Sequence, residues 1–185
     1  NRITPPFNRV PQFTARMQRI NVEGFDFSID GDLTRFESAR DYECTNGTSY
    51  RSACSPNADR AVALAQISRP FTTPYGYLTP KLQLNSRSYQ FSGGLPLNNP
   101  YYTDHAGQGG ASVSVPTFSL DTSVAFEKST RLFDRAWVQT IEPRAFYVYT
   151  PYRDQNYLPN YDSGGNSFNF ASIFTENAFG GYDRI

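Results

Sequence analysis

The sequence is poor in the residue types on which many common functions depend. Its 185 residues include one histidine and two cysteines. A Ser-His-Asp triad would have to use His105, which lies in a glycine-rich loop, and the chain has no G-x-S-x-G nucleophile elbow. Phosphate-binding and dinucleotide-binding fingerprints are absent as well. We therefore predict a protein that is not an enzyme and that binds no cofactor or metal.

Long hydrophobic runs are also missing, and neither sign of charge is in excess. No stretch approaches the roughly 18 consecutive apolar residues of a transmembrane helix. The 17 basic residues balance 17 acidic ones, which argues against a nucleic-acid partner held by a basic surface. If this chain meets a membrane, it does so as β-strands, whose alternation keeps the mean hydropathy low, here −0.55.

Aromatic residues, in contrast, are abundant and lie in alternating patterns. They make up 16% of the chain, with 13 tyrosines and 15 phenylalanines. The stretch 137–158 alternates at first, gathers Tyr147, Tyr149 and Tyr152 at one end, and then becomes a polar loop. Tyrosines at the end of an alternating strand are typical of the aromatic girdle of an outer-membrane barrel. We predict a strand over 136–150.

The rest of the chain shows a similar rhythm of alternating strands and long polar loops. In residues 22–37 one face carries Phe27, Ile29 and Leu33, and the other carries Asp30 and Asp32. Such a pattern predicts a barrel wall with lipid outside and a polar lumen inside, and it equally fits a soluble sheet. Further strands are predicted at 10–20, 76–91 and 113–128, a strand or helical turn at 61–70, a turn at 129–135, a short final strand at 168–179, and polar loops at 38–60, 92–112 and 151–167.

Six to eight strands of this kind predict an all-β fold, namely part of a larger antiparallel transmembrane β-barrel with long polar loops. The smallest known barrels close with about eight strands. A strand with an unpaired edge leaves polar groups unsatisfied in lipid. A piece of a larger barrel is therefore not expected to insert alone.

The two cysteines, Cys44 and Cys54, flank a short polar loop. That arrangement indicates a local disulfide formed in an oxidising compartment, with two free thiols as the alternative.

Several short motifs occur together in a fixed order. They are Glu142-Pro143-Arg144, Tyr147, Thr150 to Gln155 (TPYRDQ), Tyr161-Asp162-Ser163 and Gly180 to Ile185 (GGYDRI), with Pro5 to Gln12 (PPFNRVPQ) near the start. This ordered set resembles the C-terminal barrel domain of the LPS-assembly protein family, LptD. The resemblance implies that residues 1–185 are a middle segment of a single outer-membrane barrel domain, without the family's periplasmic N-terminal domain and remaining strands.

The resemblance also implies a function and partners. The family is the lipopolysaccharide translocon of the Gram-negative outer membrane and assembles lipopolysaccharide into the outer leaflet. Its implied partners are lipopolysaccharide, outer-membrane lipids, an LptE-type lipoprotein in the lumen and, through the absent N-terminal domain, an LptA-type periplasmic bridge protein. The family's lateral opening lies between its first and last strands, so this segment is expected to supply wall and loops.

The residues singled out by the resemblance are interpreted as structural or luminal contacts. Glu142 and Arg144, two residues apart on the predicted strand, are expected to form ion pairs in the lumen or to contact a phosphorylated lipid. Arg153 and Asp154 are expected to form a pair that stabilises a turn. The full set is Glu142, Pro143, Arg144, Pro151, Tyr152, Arg153, Asp154, Asp183 and Arg184.

Three other functions remain open from the sequence. One is a small outer-membrane barrel acting as an adhesin or structural protein. Another is a soluble secreted β-sandwich that binds carbohydrate through exposed tyrosines. The third, an outer-membrane hydrolase, is weakened by the lone histidine.

Overall fold

The chain folds into antiparallel β-sheets, as seen in a computed structural model that describes residues 7–37, 56–95, 100–133, 135–170 and 172–185. A 3₁₀ helix at Pro100–His105 is the helical element of these ranges. No helix in the described residues has the length and apolar character needed to cross a membrane. The strands are β1 (Asn8–Val22), β2 (Phe25–Glu37), β3 (Ala58–Ser68), β4 (Phe71–Thr73), β5 (Gly76–Phe91), β6 (Gly110–Val124), β7 (Phe126–Leu132), β8 (Arg135–Ile141), β9 (Arg144–Tyr149), β10 (Gly164–Gly165) and β11 (Phe179–Gly180).

Seven of these strands form the largest sheet, which we call the wall. Their order in space is β1–β2–β3–β5–β6–β9, and the short β4 continues the line of β3 along the same edge of β5. Every pairing is antiparallel. The all-β, antiparallel class predicted from the sequence is therefore confirmed. In the described part of the chain β1 and β9 are edge strands, so closure into a barrel and insertion into a membrane stay predictions.

The two faces of the wall differ in polarity, and the polar face is the covered one. The apolar face is exposed and carries Phe13, Met17, Phe27, Ile29, Leu33, Leu82 and Leu84. The polar face is buried and carries Asp32, Thr34, Arg60, Asn85, Arg87, Thr117 and Ser119. The alternation predicted for β2, β5 and β6 is confirmed. In a soluble sheet the apolar face would be the one packed away from water.

The polar face is covered by residues 151–185, which we call the inner segment. Three wall residues bind it directly: Arg60 donates to Asp183, Arg87 to Gln155 and Lys81 to Glu176. The inner segment contains one small pairing of its own, between β10 and β11. Leu158 of the inner segment packs near the start of β3 and the end of β5. The hydrophobic core there consists of Ala58, Tyr89, Phe91, Leu95, Tyr102 and Leu158.

The two ends of the wall have different connections. At one end, tight turns join β1 to β2 and β4 to β5. At the other end, long stretches of sequence separate β2 from β3 and β5 from β6. β9 ends beside the middle of β6, where Tyr149 pairs with Phe118. The hairpin of β7 and β8 extends beyond the end with the tight turns, and nearly all of its side chains are exposed. Outer-membrane barrels show the same asymmetry, with short periplasmic turns and long extracellular loops.

The prediction of one strand over 136–150 is wrong, because the chain breaks at Glu142 and Pro143. β8 pairs with β7, whereas β9 pairs with β6 in the wall. Proline has no N–H to donate to a ladder, which explains the interruption. The carbonyl of Pro143 instead accepts a hydrogen bond from the Val124 N–H at 3.2 Å. The predicted strand 113–128 is also divided, because Ala125 separates β6 from β7. The two breaks are adjacent, as the bond between Val124 and Pro143 shows.

Other boundaries also differ from the prediction. For residues 61–70 the strand alternative is confirmed and the helical turn is wrong, since 61–68 belong to β3. The predicted turn at 129–135 belongs largely to β7 and β8. The predicted strand 168–179 is wrong: of its described residues only Phe179 enters a strand, and nearby side-chain bonds explain why. Ser172 and Asn169 bond each other's backbone, which holds local turns in place of a ladder. Cys44 and Cys54 lie outside the described residues, so their disulfide stays a prediction.

Candidate functional site

The main polar constellation centres on Arg60, a fully buried guanidinium on the polar face. Alternation along β3 points Arg60 to that face together with Ala58 and Val62. In the sheet register Thr34 of β2 and Tyr89 of β5 are its direct neighbours. The wall therefore presents an arginine flanked by hydrogen-bonding side chains where the inner segment approaches.

Arg60 joins three carboxylates from two parts of the chain. Its Nη2 donates to Asp162 Oδ2 at 2.8 Å and to Asp32 Oδ1 at 3.2 Å, and its Nη1 donates to Asp183 Oδ1 at 2.9 Å. Asp32 belongs to the wall, whereas Asp162 and Asp183 belong to the inner segment. We call these four residues the latch, because they fasten the inner segment to the wall. All four side chains are at most 4% exposed.

Two aromatic rings complete the surroundings of the Arg60 guanidinium. Its Cζ lies 4.7 Å from the ring centroid of Phe36 and 5.4 Å from that of Tyr182. Phe36 also stacks on Tyr161 at 4.4 Å. Cation–π attraction strengthens when water is excluded, as it is here. The latch is thus shielded from solvent on both sides.

Several hydrogen-bond donors surround the buried carboxyl group of Asp183. The Tyr89 hydroxyl donates to Asp183 Oδ1 at 2.6 Å, and the backbone N–H groups of Tyr161 and Asp162 donate to Oδ2 at 2.7 and 3.0 Å. The turn before it depends on Gly181, whose φ of +76° suits glycine and where a Cβ would collide with the backbone of Asp162. A buried charge with this many partners is held in a defined position.

The charge of Arg60 also affects the acid–base behaviour of the inner segment. Burial alone raises the pKa of the Asp162 carboxyl, but the hydrogen bond and positive charge of Arg60 outweigh it and lower the pKa below its ordinary value. Burial raises the pKa of the Tyr161 hydroxyl far above its ordinary value. Asp162 is therefore a carboxylate and Tyr161 a neutral phenol at neutral pH.

Arg87 provides a second attachment next to the latch. Its Nη1 donates to the Tyr182 carbonyl at 3.0 Å and its Nη2 to Gln155 Oε1 at 2.6 Å. Gln155 in turn donates to the Ile185 carbonyl at 3.2 Å. Arg184 fastens the inner segment to itself by donating to the carbonyls of Leu158 (2.7 Å), Pro159 (3.3 Å) and Asp183 (2.7 Å).

A third attachment lies on the polar face nearer the end of the wall with the tight turns. Lys81 and Ser119 donate to Glu176 Oε1 at 2.7 and 3.0 Å. Burial raises the pKa of Glu176, but Lys81 more than offsets this effect and the pKa is lowered. Nearby, Arg144 forms a two-point ion pair with Asp121 and lies 4.1 Å from the ring centroid of Phe174.

The structure separates the residues singled out by the sequence into three groups. In the first group, Asp183 is part of the latch and Arg184 is the next residue of the inner segment. Arg144 pairs within the wall with Asp121, while Glu142 and Pro143 lie in the break before β9, so the prediction that Glu142 and Arg144 share one strand is wrong. The third group, Pro151, Tyr152, Arg153 and Asp154, forms the start of the inner segment, where Tyr152 is 82% exposed.

The turn at Asp154 differs from the expected ion pair. Asp154 accepts a hydrogen bond from the Asn156 N–H at 2.9 Å. No ion pair joins it to Arg153 in the described residues. The turn is stabilised by a side chain bonding its own backbone two residues on, which is common for aspartate.

His105 lies near the long-loop end of the wall, beside a shallow cleft of about 410 Å³. Its ring stacks on Tyr157 at 4.1 Å, and its Nδ1 lies 3.2 Å from Gln108 Oε1. These partners hold a loop in place. Across the described residues there is no group of three or more histidine, cysteine, aspartate and glutamate side chains arranged to bind a metal.

Arg60, the centre of the latch, was not predicted from the sequence. Its partners Asp162 and Asp183 lie 102 and 123 residues away, and no local pattern links such positions. A usable signal did exist: Arg60 alternates with Ala58 and Val62, so it occupies a buried position of β3 that needs an acid. As a whole the constellation binds carboxylates through a guanidinium. Among the described residues it does not juxtapose a nucleophile with a base.

Comparison with known proteins agrees with this architecture. Residues 1–185 match the family described as LptD, LPS transport system D. The LPS-assembly protein LptD of Polaromonas sp. is 49% identical over 99% of this chain, and that of Albidiferax ferrireducens is 50% identical over 99%. The protein of the same name from Burkholderia thailandensis is 37% identical over 97% of the chain. The chain spans about a fifth of the length of these relatives, namely 21%, 20% and 21%.

Proposed function

Because this chain belongs to the LptD family, we propose that it forms part of the wall of an outer-membrane translocon that assembles lipopolysaccharide into the outer leaflet. In this proposal residues 1–185 are one segment of a single barrel domain in a Gram-negative outer membrane. The apolar face of the wall contacts lipid, and the polar face lines the lumen. The observation that carries the proposal is the reversed polarity of the sheet, with its apolar face exposed.

The dimensions of the wall support this placement. β1, β2, β3, β5 and β6 have 15, 13, 11, 16 and 15 residues. A tilted strand needs about 9–11 residues to span the hydrocarbon core. In this orientation the end with the long connections faces the cell exterior, and the inner segment enters the lumen from that end.

The inner segment has a specific place in the proposed mechanism. Lipopolysaccharide combines sugars and phosphates with acyl chains, so its transport needs a polar path beside a lipid phase. The polar face offers such a path, and the inner segment now lies across it, held by the latch. Transport moves an intact molecule, and we assign no catalytic residue.

The partners of the translocon follow from the family and are part of the proposal. An LptE-type lipoprotein occupies the remaining lumen, and an LptA-type periplasmic protein delivers lipopolysaccharide through the family's N-terminal domain. The exposed apolar face argues against the secreted β-sandwich. In a sandwich this face would pack on a second sheet, but Leu33 and Leu82 are each 57% exposed.

The test is depletion of the full-length parent protein in its host, followed by measurement of newly made lipopolysaccharide at the cell surface. We expect surface lipopolysaccharide to fall while the lipid accumulates inside the envelope, and expression of the wild-type gene to restore it. Unchanged surface lipopolysaccharide on depletion would overturn the proposal and favour an adhesin or structural role.

A further inference from the structure

Three arginines come together where the inner segment meets the polar face of the wall. Arg60 and Arg87 lie on the polar face of neighbouring strands, β3 and β5, and both are at most 2% exposed. Val62 pairs with Arg87 in the register, which makes the two arginines diagonal neighbours. Arg184 of the inner segment directly follows Asp183, which bonds Arg60, and lies two residues after Tyr182, whose carbonyl bonds Arg87. We call these residues the arginine cluster.

Within this cluster Arg87 has no acid of its own. Its two Nη atoms bond only the neutral oxygens of Tyr182 and Gln155. Among the ion pairs of the described residues none includes Arg87, and its Nε has no hydrogen-bond partner. Arg60 Nε is likewise unpartnered. Buried arginines normally pair with an anion, so the cluster holds donor capacity that the inner segment does not use.

The inner segment supplies two anions to the cluster, Asp162 and Asp183, and both bond Arg60. A guanidinium fork binds carboxylate and phosphate with the same parallel geometry. A phosphate carries more charge than one carboxylate and offers three acceptor oxygens. It can therefore satisfy two neighbouring arginines where these carboxylates satisfy one.

We propose that the arginine cluster is a binding site for the phosphate group of a glycolipid, which the carboxylates of Asp162 and Asp183 occupy in the present conformation. This inference rests on the proposed function, which places the polar face in the lumen. Phosphate enters when the inner segment leaves the polar face, and the segment returns when phosphate departs. The exchange works because both occupants use the same guanidinium donors, so each opposes the binding of the other.

The experiment is hydrogen exchange on the full-length parent protein with its luminal partner. The backbone N–H groups of Tyr161 and Asp162 bond Asp183, so their exchange reports release of the latch. The probes are lipid A with both phosphates, the same lipid A without phosphates, and inorganic phosphate. We expect phosphorylated lipid A to speed exchange of these amides by at least about tenfold, and dephosphorylated lipid A to leave it unchanged.

Three variants distinguish a phosphate site from a merely structural latch. Arg87→Gln removes one attachment of the inner segment but leaves the ion pairs of Arg60, and it is expected to weaken the apparent affinity for phosphorylated lipid A by about tenfold. Asp162→Asn with Asp183→Asn removes the competing anions and is expected to tighten binding by a similar factor. Arg144→Gln, on the same face but paired with Asp121, is the matched control with unchanged affinity.

Each outcome has a defined meaning. Equal responses to the two forms of lipid A, or no response to either, overturn the phosphate site. A response to inorganic phosphate equal to that of phosphorylated lipid A shows that free phosphate suffices and overturns the glycolipid assignment. Failure of the proposed function is separately visible, because depletion would then leave surface lipopolysaccharide unchanged while phosphorylated lipid A still released the latch.

Discussion

At the scale of single residues, Arg60 decides whether three buried carboxylates are tolerated. Its guanidinium is the one cation that bonds Asp32, Asp162 and Asp183 together in the described residues. Removing one partner of a buried ionic network costs more than the network contributes, because the remaining charges stay buried without compensation. The latch is therefore sensitive to the loss of its one shared cation.

We expect Arg60→Gln to lower the free energy that holds the inner segment closed by about 3–5 kcal/mol. Hydrogen exchange of the Tyr161 and Asp162 amides in the full-length parent protein measures this change. Arg16→Gln is the control, because Arg16 pairs with Asp30 while its side chain is 76% exposed. Its effect should stay below about 1 kcal/mol. Equal protection in the two variants would contradict the central position of Arg60.

The Tyr89 hydroxyl makes a smaller contribution at the same place. Tyr89→Phe removes its 2.6 Å bond to Asp183 but leaves the other donors to that carboxylate. We expect a loss of about 1–3 kcal/mol in closing free energy, because a buried charged acceptor loses one partner. Tyr77→Phe removes a similar bond, to Asp121, outside the latch. It is expected to leave exchange of the inner segment unchanged.

At the scale of elements, the inner segment is attached mainly through charged and polar contacts, so its attachment depends on pH. The lowered pKa of Asp162 means that the attachment is stabilised above the ordinary pKa of an aspartate, about 3.9, and is lost as pH falls through the lower pKa of the folded state. Glu176 changes in the same direction.

We therefore expect protection of the inner segment to stay constant from about pH 7 to pH 5 and to be lost below about pH 4. Exchange measured across this range and corrected for intrinsic rates tests the expectation. Asp162→Asn should flatten the transition, since no proton can then bind at that position. Loss of protection already near neutral pH would point to a different titrating group.

The exposed apolar face of the wall leads to a prediction about whether it contacts lipid or water. Leu84 lies near the middle of β5 on the apolar face and is 45% exposed. If that face contacts lipid, Leu84→Arg costs about 2–4 kcal/mol and Gln90→Arg, at the strand end, about 0–1 kcal/mol. Urea unfolding of the parent protein in phospholipid vesicles measures both. Equal and small effects would place the face in water.

The strands also show how far sequence patterns extend. Alternation identified the faces of β2, β5 and β6, because each residue's face follows from strand geometry alone. It missed the division at Pro143, since the aromatic alternation continues on both sides of the proline. It also predicted a strand at 168–179, where Asn169 and Ser172 bond the local backbone instead. Alternation with a period of two residues carries no information about side chains that bond the local backbone and so compete with strand formation.

At the scale of the whole molecule, the family and the latch show opposite degrees of predictability. The family was evident from short motifs in order, and the match over residues 1–185 confirms it. The latch was not evident, although Asp183 had been singled out. It forms only when β2, β3 and β5 are side by side and the inner segment folds back on them. Its geometry is therefore a property of the assembled sheet.

The register of the sheet gives the latch one more consequence. Asp32, Arg60 and Tyr89 come from three different strands. Arg60 and Tyr89 bond Asp183, the last partner to be synthesised, and Asp32 bonds Arg60. A slip of one residue in any of these strands would turn its side chain to the opposite face. We expect the latch to close only on a correctly aligned wall. A closed latch would therefore report a correctly aligned wall, because a misaligned strand leaves the carboxylate of Asp183 without its partners on the wall.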